Sequence, residues 1–241
     1  MNEVRASASP AHRLDAPLPA PTRWRGYELS WQWWSAGTVR VQVATVADLA
    51  RHVDTEALLR DPNAPEPPYW AYLWPGSRAL ARYLVSHAAP AGGRALEVGC
   101  GAGLVSVVLA CLGAQVWAFD RDRDAVALCR LNAAWNGVSV GVWRGDLGQP
   151  SLRSRVDLLC AADVTYDPRL QQAVLALAAT RLSETGRLLC TESVRTFDRE
   201  WLADAARRGF SIREEQLDEA DGERSVPVRM IEMRWAEGKY E

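Results

Sequence analysis

A glycine-rich turn preceded by an acidic residue is the segment whose residue types and spacing point most directly to chemistry. Residues 95–104 read ALEVGCGAGL, so an apolar run leads into Gly99, Gly101 and Gly103. Glycine is needed where the backbone turns with a positive φ angle and passes within contact distance of a ligand. Loops that bind a diphosphate use the longer spacing GxGxxG. Because the carboxylate of Glu97 would repel a diphosphate and attract an ammonium or a sulfonium group, the pattern favours S-adenosylmethionine over NAD.

Two further acidic residues stand at intervals that fit this cofactor. Asp120 ends the next predicted strand, where its carboxylate can accept both ribose hydroxyls. Asp146 follows a third predicted strand and can reach the adenine amino group. An ordinary tight turn with solvated acids is the alternative interpretation, but the combination of loop and acids favours a cofactor site.

A second acidic position follows the strand predicted at 156–162. In open α/β sheets, ligands bind beyond the carboxyl ends of the strands, so Asp163 and Tyr166 should face the methyl group of the S-adenosylmethionine. A carboxylate there can bind a substrate ammonium and help it to lose a proton, since free lysine has a pKa near ~10.4. Capping of the following helix is the alternative role for Asp163, although Asp167 is better placed for it, directly before Pro168.

An aromatic segment, PPYWAYLWPG at 67–76, precedes the glycine loop. Aromatic residues at such density usually fill a core. This segment precedes the first strand of the predicted sheet, which would place it over the cleft as a lid. Tyr69, Trp70 and Trp74 would then face the sulfonium or an incoming cation through their π faces. The two interpretations stay open for Tyr69, whereas function is favoured for Trp74.

Alternating strands and helices must position these residues. From residue 77 onward the pattern alternates helix and strand, which predicts a Rossmann-like, doubly wound, seven-stranded α/β sheet that is mostly parallel. The last two strands have no helix between them and must pair antiparallel. The predicted organisation is a disordered arm at 1–22, a β-hairpin, helix and connector at 23–68, the main domain at 69–235 and a tail at 236–241.

Residues 38–235 resemble the class I (seven-β-strand) S-adenosylmethionine-dependent methyltransferases. The aromatic segment at 67–76 and the DxxY pattern of Asp163 to Tyr166 resemble the protein-lysine methyltransferase group that includes the enzyme acting on the electron transfer flavoprotein β-subunit. The sequences after the fourth and fifth strands of that domain differ from those of the flavoprotein-directed enzymes. The resemblance implies that Asp163 and Tyr166 border the target amine, with Tyr69 and Trp70 near the substrate. The implied cofactor contacts are Trp74, Glu97, Gly99, Gly101, Gly103, Asp120, Trp143, Asp146 and Ala162.

Composition narrows the range of partners. The net charge is −2 and the pI is near 6.0, so nothing global attracts nucleic acid or an anionic membrane. Neither a membrane-spanning apolar stretch nor a signal peptide is predicted. The five cysteines form no CxxC pair, which predicts reduced thiols in a cytoplasmic protein and no metal site.

Three functions remain as hypotheses. The first is methylation of a lysine in a protein substrate. The second is methylation of a small molecule on nitrogen or oxygen, which the tryptophan-rich N-terminal region favours because aromatic surface can roof a small pocket. The third is a binding module without catalysis, against which Glu97, Asp120 and Asp163 argue. Nucleic-acid methylation ranks lower, because neither a basic patch nor an Asn/Asp-Pro-Pro-Tyr motif is present.

Overall fold

A seven-stranded sheet with helices on both faces forms the body of the protein. The computed structural model describes residues 20–53, 60, 67–87, 91–148, 152–193, 199–236 and 238. The strands are β1 (Arg23–Trp24), β2 (Tyr27–Ala36), β3 (Val39–Val46), β4 (Arg94–Val98), β5 (Gln115–Asp120), β6 (Val140–Arg144), β7 (Val156–Ala162), β8 (Leu182–Ser193), β9 (Phe210–Asp221) and β10 (Arg224–Trp235). The α-helices are α1 (Pro75–Ser86), α2 (Leu104–Cys111), α3 (Arg123–Trp135), α4 (Pro168–Arg181) and α5 (Glu200–Arg207). Short 3₁₀ helices cover Leu49–His52 and Tyr69–Ala71.

The large sheet has the strand order β6-β5-β4-β7-β8-β10-β9. The five strands β6, β5, β4, β7 and β8 are parallel, and β10 lies antiparallel between β8 and β9. The predicted fold class is therefore confirmed, including the antiparallel pairing of the last two strands. The parallel order places the carboxyl ends of β4, β5, β6 and β7 along one edge of the sheet.

Two apolar layers cover the sheet. Helices α1, α2 and α3 contribute to one cluster of buried side chains, represented by Leu84, Val105 and Leu128. Helices α4 and α5 contribute to the other, represented by Leu175 and Trp201. Burial of these side chains from both faces is the main source of stability of the parallel strands.

Strands β1, β2 and β3 form a separate three-stranded sheet that packs on the first of these layers. The Asn132 side chain accepts a hydrogen bond from the N–H of Ala44 at 2.8 Å and donates to the Ala44 carbonyl at 3.0 Å. Asn136, one helical turn further along α3, makes the same pair of bonds with Gln42, at 3.0 and 2.8 Å. Residues four apart on a helix are about as far apart as residues two apart on a strand, so the two side chains match alternate positions of β3.

Several expectations fall wholly or partly outside the described residues. They include most of the N-terminal arm, much of the helix expected at 47–60, most of the connector at 61–68 and most of the tail. The hairpin expected in the N-terminal region is present as β2 and β3.

Candidate active site

The glycine loop connects β4 to α2 at the carboxyl edge of the sheet. Gly99, Gly101 and Gly103 have φ angles of 63°, 49° and 81°. At Gly101 space is short as well, because a β-carbon would lie 3.1 Å from the carbonyl oxygen of Trp70, closer than an ordinary van der Waals contact. Glycine at this position therefore allows the aromatic segment to lie directly over the loop.

Asp120 at the end of β5 links the glycine loop to the turn between β5 and α3. Its carboxylate accepts hydrogen bonds from the N–H of Gly101 at 3.0 Å and from the N–H of Asp122 at 2.9 Å. Burial raises the pKa of Asp120, and these two hydrogen bonds act in the opposite direction. A carboxylate offers about four acceptor positions, so two hydroxyl groups can still be accommodated.

Glu97 lies beneath the loop and is 2% exposed. Its carboxylate accepts a hydrogen bond from the N–H of Ser106 at 2.8 Å, and the Ser106 hydroxyl also donates to it. Burial raises the pKa of Glu97 to about 8, against the lowering effect of Ser106. The proton on this side chain is therefore poised to leave when a cation binds nearby.

Asp163 begins the loop after β7 with a left-handed backbone, φ 54°. Such a conformation costs a residue other than glycine about 1–3 kcal/mol and recurs at active sites. Its N–H donates to the Thr191 carbonyl at 2.9 Å. Its carboxylate is packed against Gly76 at the start of α1, because a β-carbon on Gly76 would lie 2.6 Å from Asp163 Cγ. The predicted helix cap is Asp167, which accepts a hydrogen bond from the N–H of Arg169.

Exposed aromatic side chains gather at the mouth of the site. Of the large hydrophobic side chains that are exposed in the described part of the chain, four line one cavity and only Trp33 lies elsewhere. Trp74 donates its indole N–H to the Tyr69 carbonyl at 2.9 Å, and its ring packs edge-on against Tyr72 at 5.2 Å. The four cavity residues are Tyr69, Tyr72, Trp74 and Tyr166.

The cavity itself has a volume of about 590 Å³ and lies at the carboxyl ends of β4 to β7. This volume is in the range typical of small-molecule sites. Nearly all residues predicted for the site line it: Tyr69, Trp70, Trp74, Glu97, Gly99, Gly101, Gly103, Asp120, Asp146, Ala162, Asp163 and Tyr166. Trp143 is not among the described lining residues; its ring packs against Phe119 at 5.5 Å within the second apolar layer. A contact between Trp143 and the cofactor therefore stays a prediction.

Sequence reasoning missed three arginines, Arg121, Arg123 and Arg144, that line the same cavity. Their signal was present, since Arg121 and Arg123 stand within three residues after Asp120 and Arg144 ends the next strand. Tyr72 was also missed as a site residue, although it stands within the aromatic segment and lines the cavity. Its hydroxyl donates to Asp221 at 2.5 Å, which joins the lid to the β9–β10 hairpin.

The residues present fit S-adenosylmethionine. Five aspartates and three arginines line the cavity, so negative charge is in surplus even while Glu97 is protonated, which suits a ligand with an ammonium and a sulfonium group. Asp120 has acceptor capacity for the ribose, and Glu97 and Asp146 lie on the same wall. When bound, the cofactor would be held by these residues and by the glycine loop. No group of His, Cys, Asp and Glu side chains suited to a metal ion occurs among the residues described.

The five cysteines have no disulfide partners, and all but Cys111 are buried. None of the helices in the described ranges is both long and apolar enough to span a membrane.

Comparison with known proteins gives several relatives of different substrate class. The chain is 35% identical over 105 residues to the electron transfer flavoprotein beta subunit lysine methyltransferase of Danio rerio, covering 43% of this chain and 41% of that protein. It is 31% identical over 135 residues to the ribosomal RNA small subunit methyltransferase C of Alcanivorax borkumensis, covering 54% and 41%. It is 47% identical over 58 residues to the ubiquinone biosynthesis O-methyltransferase of Xanthomonas axonopodis, covering 24% of each. The chain thus spans less than half the length of these curated relatives.

Solved structures support the fold. A putative RNA methyltransferase from Pyrococcus horikoshii superposes with a TM-score of 0.57 at 17% identity, over 74% of this chain and 91% of that one. At this identity the likeness extends to the fold alone. The sequence model of the methyltransferase small domain matches residues 70–203, more than half of the chain. The cofactor implied by the family and by the glycine loop is S-adenosylmethionine, and this protein belongs to the methyltransferase small-domain family.

Proposed function

We propose that this protein is an S-adenosylmethionine-dependent methyltransferase that methylates a lysine side chain of a protein substrate. The observation that carries the proposal is that four exposed aromatic side chains line the cavity together with Asp163. Aromatic faces stabilise an ammonium or methylammonium group through cation–π interactions. Contiguous exposed aromatic surface on a protein of this size is typical of a binding site.

Each part of the cavity has a separate task in this proposal. The bound cofactor supplies a methyl group on a positively charged sulfur. Asp120 holds the ribose through its remaining acceptor positions, and Glu97 balances positive charge below the loop. Tyr69, Trp74 and Tyr166 guide the lysine side chain inward and exclude water from its apolar stem.

Asp163 acts on the lysine nitrogen. Its carboxylate accepts a hydrogen bond from Nζ and holds the nitrogen at the cavity, while one Nζ proton passes to water and leaves the lone pair free to react. Since an unperturbed lysine has a pKa near ~10.4, partial burial against aromatic surface is needed to make the neutral amine accessible. Alignment of the neutral amine in line with the methyl group contributes the larger share, about 7–11 kcal/mol in favourable cases.

The same proposal assigns roles to the parts of the chain. Residues 69–235 are assigned to the methyltransferase domain, 23–68 to an N-terminal extension, 1–22 to an arm and 236–241 to a tail; within the extension, strands β1 to β3 cover one helix layer. The buried, unpaired thiols support a reducing, cytoplasmic location for the reaction.

The experiment is transfer of labelled methyl from S-adenosylmethionine into a cell extract, separated into protein, RNA and small-molecule fractions. Label on a lysine of one protein, identified by mass spectrometry, is the expected result. Label confined to the small-molecule fraction would replace the protein substrate with a metabolite. Label confined to RNA would instead make the arginine-lined wall a nucleic-acid contact.

A pair of tryptophans supplies a matched control for the aromatic mouth. Trp74→Ala removes an exposed ring at the cavity, whereas Trp33→Ala removes an exposed ring that lies against Arg40 on the small sheet. We expect the first variant to raise the KM for the acceptor about 3- to 30-fold, as loss of a cation–π contact predicts, and the second to leave it unchanged. Equal effects of the two variants would contradict the aromatic recognition of lysine.

A further inference from the structure

A buried carboxylate stands behind the loop that carries Asp163 and Tyr166. Glu192 at the end of β8 is 5% exposed and accepts a hydrogen bond from the Thr165 hydroxyl at 2.5 Å. Arg229 on β10, its direct cross-strand partner, donates to the same carboxylate at 2.9 Å. Arg229 also donates to Glu214 on β9 at 3.4 Å.

Thr165 lies between the two proposed substrate contacts, directly before Tyr166. Its side chain is bound to Glu192, and its carbonyl accepts a hydrogen bond from the Gln171 side chain of α4 at 2.9 Å. Thr165 is 1% exposed, so water does not compete for these bonds. The loop is thereby held at its centre from the sheet side and from the helix side.

The neighbouring residue of β8 holds the start of the loop. The Thr191 carbonyl accepts from the N–H of Asp163 at 2.9 Å, and the Thr191 hydroxyl donates to the Gly76 carbonyl of α1 at 2.9 Å. Thr191 and Glu192, two consecutive residues of β8, thus hold three points of the site. Thr191 contacts the start of α1 and Asp163, and Glu192 contacts the centre of the loop.

Burying the Glu192–Arg229 ion pair costs hydration free energy, which raises the question of what the pair contributes. A buried ion pair rarely stabilises more than apolar side chains of the same size would, because both charges lose their hydration. What such a pair does provide is directionality, since a charged acceptor fixes its donors more strongly than a neutral one. Here the fixed donor is Thr165.

We propose that Glu192 is a positioning residue for the acceptor site: through Thr165 it fixes the loop that places Asp163 and Tyr166 at the cavity. The inference rests on the proposed methyl transfer for its effect on turnover, but the order of the loop can be measured without it. Glu192 is not among the described residues that line the cavity, and its contact with the loop is the hydrogen bond from Thr165.

The test compares three variants with the wild-type protein. Thr165→Val removes the hydroxyl at nearly constant volume, whereas Thr165→Ser keeps the hydroxyl and removes only the methyl group. Glu192→Gln keeps the size of the side chain but removes its charge. We expect Thr165→Val and Glu192→Gln to speed hydrogen–deuterium exchange of a peptide covering 163–170 by about tenfold, as loss of one strong hydrogen bond predicts. We expect turnover to fall by a similar factor, while the dissociation constant for S-adenosylmethionine changes less than about twofold. Thr165→Ser should recover both.

Glu214→Gln is the matched control, because it removes the charge of another carboxylate partner of the same arginine without touching the loop. Unchanged exchange at 163–170 in Glu192→Gln and Thr165→Val would overturn the positioning role. So would an equal rise in exchange in Glu214→Gln, since the effect would then be a general loosening of β10. If the wild-type protein transfers no methyl group to any fraction, the proposed function fails and the exchange results alone decide the role of Glu192.

Discussion

The carboxylate of Asp163 occupies the space that a side chain at position 76 would need, with Asp163 Cγ 2.6 Å from where the β-carbon would be. Gly76→Ala should therefore displace either the start of α1 or the Asp163 side chain. We expect a loss of stability of about 1–3 kcal/mol, typical of overpacking, together with a strong loss of methyl transfer. Urea unfolding and the labelled-methyl assay measure the two effects.

A double-variant cycle tests whether the conflict lies between these two residues. Asp163→Ala removes the carboxylate, so the combination with Gly76→Ala should be more stable than the sum of the single variants predicts. Strict additivity would mean that position 76 meets some other group.

Asp120 is expected to bind the cofactor and to tie the glycine loop. Asp120→Ala should weaken binding of S-adenosylmethionine by about 1–3 kcal/mol, since charge-assisted hydrogen bonds to the ribose are lost. Isothermal calorimetry measures this directly. Asp157→Asn is the control: Asp157 likewise accepts from a backbone N–H, that of Arg94 at 2.9 Å, but it lies near the amino end of β7. Cofactor affinity that is unchanged in Asp120→Ala would refute the ribose assignment.

Glu97 should make stability fall as pH rises. Its pKa is about 8 in the folded protein, because burial disfavours the charge, and near 4.5 when unfolded. Between these values the folded state holds a proton that the unfolded state has lost. The contribution is therefore full below about pH 4.5 and is lost as the pH rises through 8, with a slope of up to about 1.4 kcal/mol per pH unit.

Denaturant unfolding at pH 5, 6.5 and 8 checks this window. Glu97→Gln should flatten the pH dependence relative to the wild-type protein. Ser106→Ala should extend it to higher pH, because the Ser106 hydroxyl lowers the pKa of Glu97. Parallel curves for the wild type and Glu97→Gln would show that Glu97 is already ionised at pH 5.

Asn132 holds the small sheet and the glycine loop together. Its amide bonds both backbone groups of Ala44 and also donates to the Ala102 carbonyl at 2.7 Å. Asn132→Ala would leave three buried backbone groups unpaired, at about 1–3 kcal/mol each. Thermal unfolding should show a loss of at least about 3 kcal/mol, and a smaller loss for Asn136→Ala, which is partly exposed. A loss for Asn132→Ala below that of Asn136→Ala would contradict this view of the interface.

The large sheet was readable from the sequence because its signals are local. Local patterns predict strands at 94–98, 115–120 and 156–162 and a helix at 123–135, and β4, β5, β7 and α3 have these bounds, since apolar runs mark where each begins and ends. The insertion of β10 between β8 and β9 was not predicted, because strand order depends on long-range packing that no local pattern encodes.

The candidate site shows the same contrast between features encoded locally and features that depend on long-range packing. Glu97, Asp120 and Asp163 were predicted because each stands at or next to a strand end, and all three line the cavity. The packing of Asp163 on Gly76 and the bond from Thr165 to Glu192 were not predictable from sequence, because each joins elements that only the folded sheet brings together.

The spacing match between α3 and β3 has a consequence for the behaviour of the protein in solution. A strand with open N–H and C=O groups along one side is a template on which another chain can add a strand. Asn132 and Asn136 hydrogen-bond to the N–H and C=O groups of Ala44 and Gln42, so these backbone groups of β3 are not open to pairing with a strand of another chain. The two side chains thus act as a substitute fourth strand, and their loss would open the small sheet to edge-to-edge aggregation.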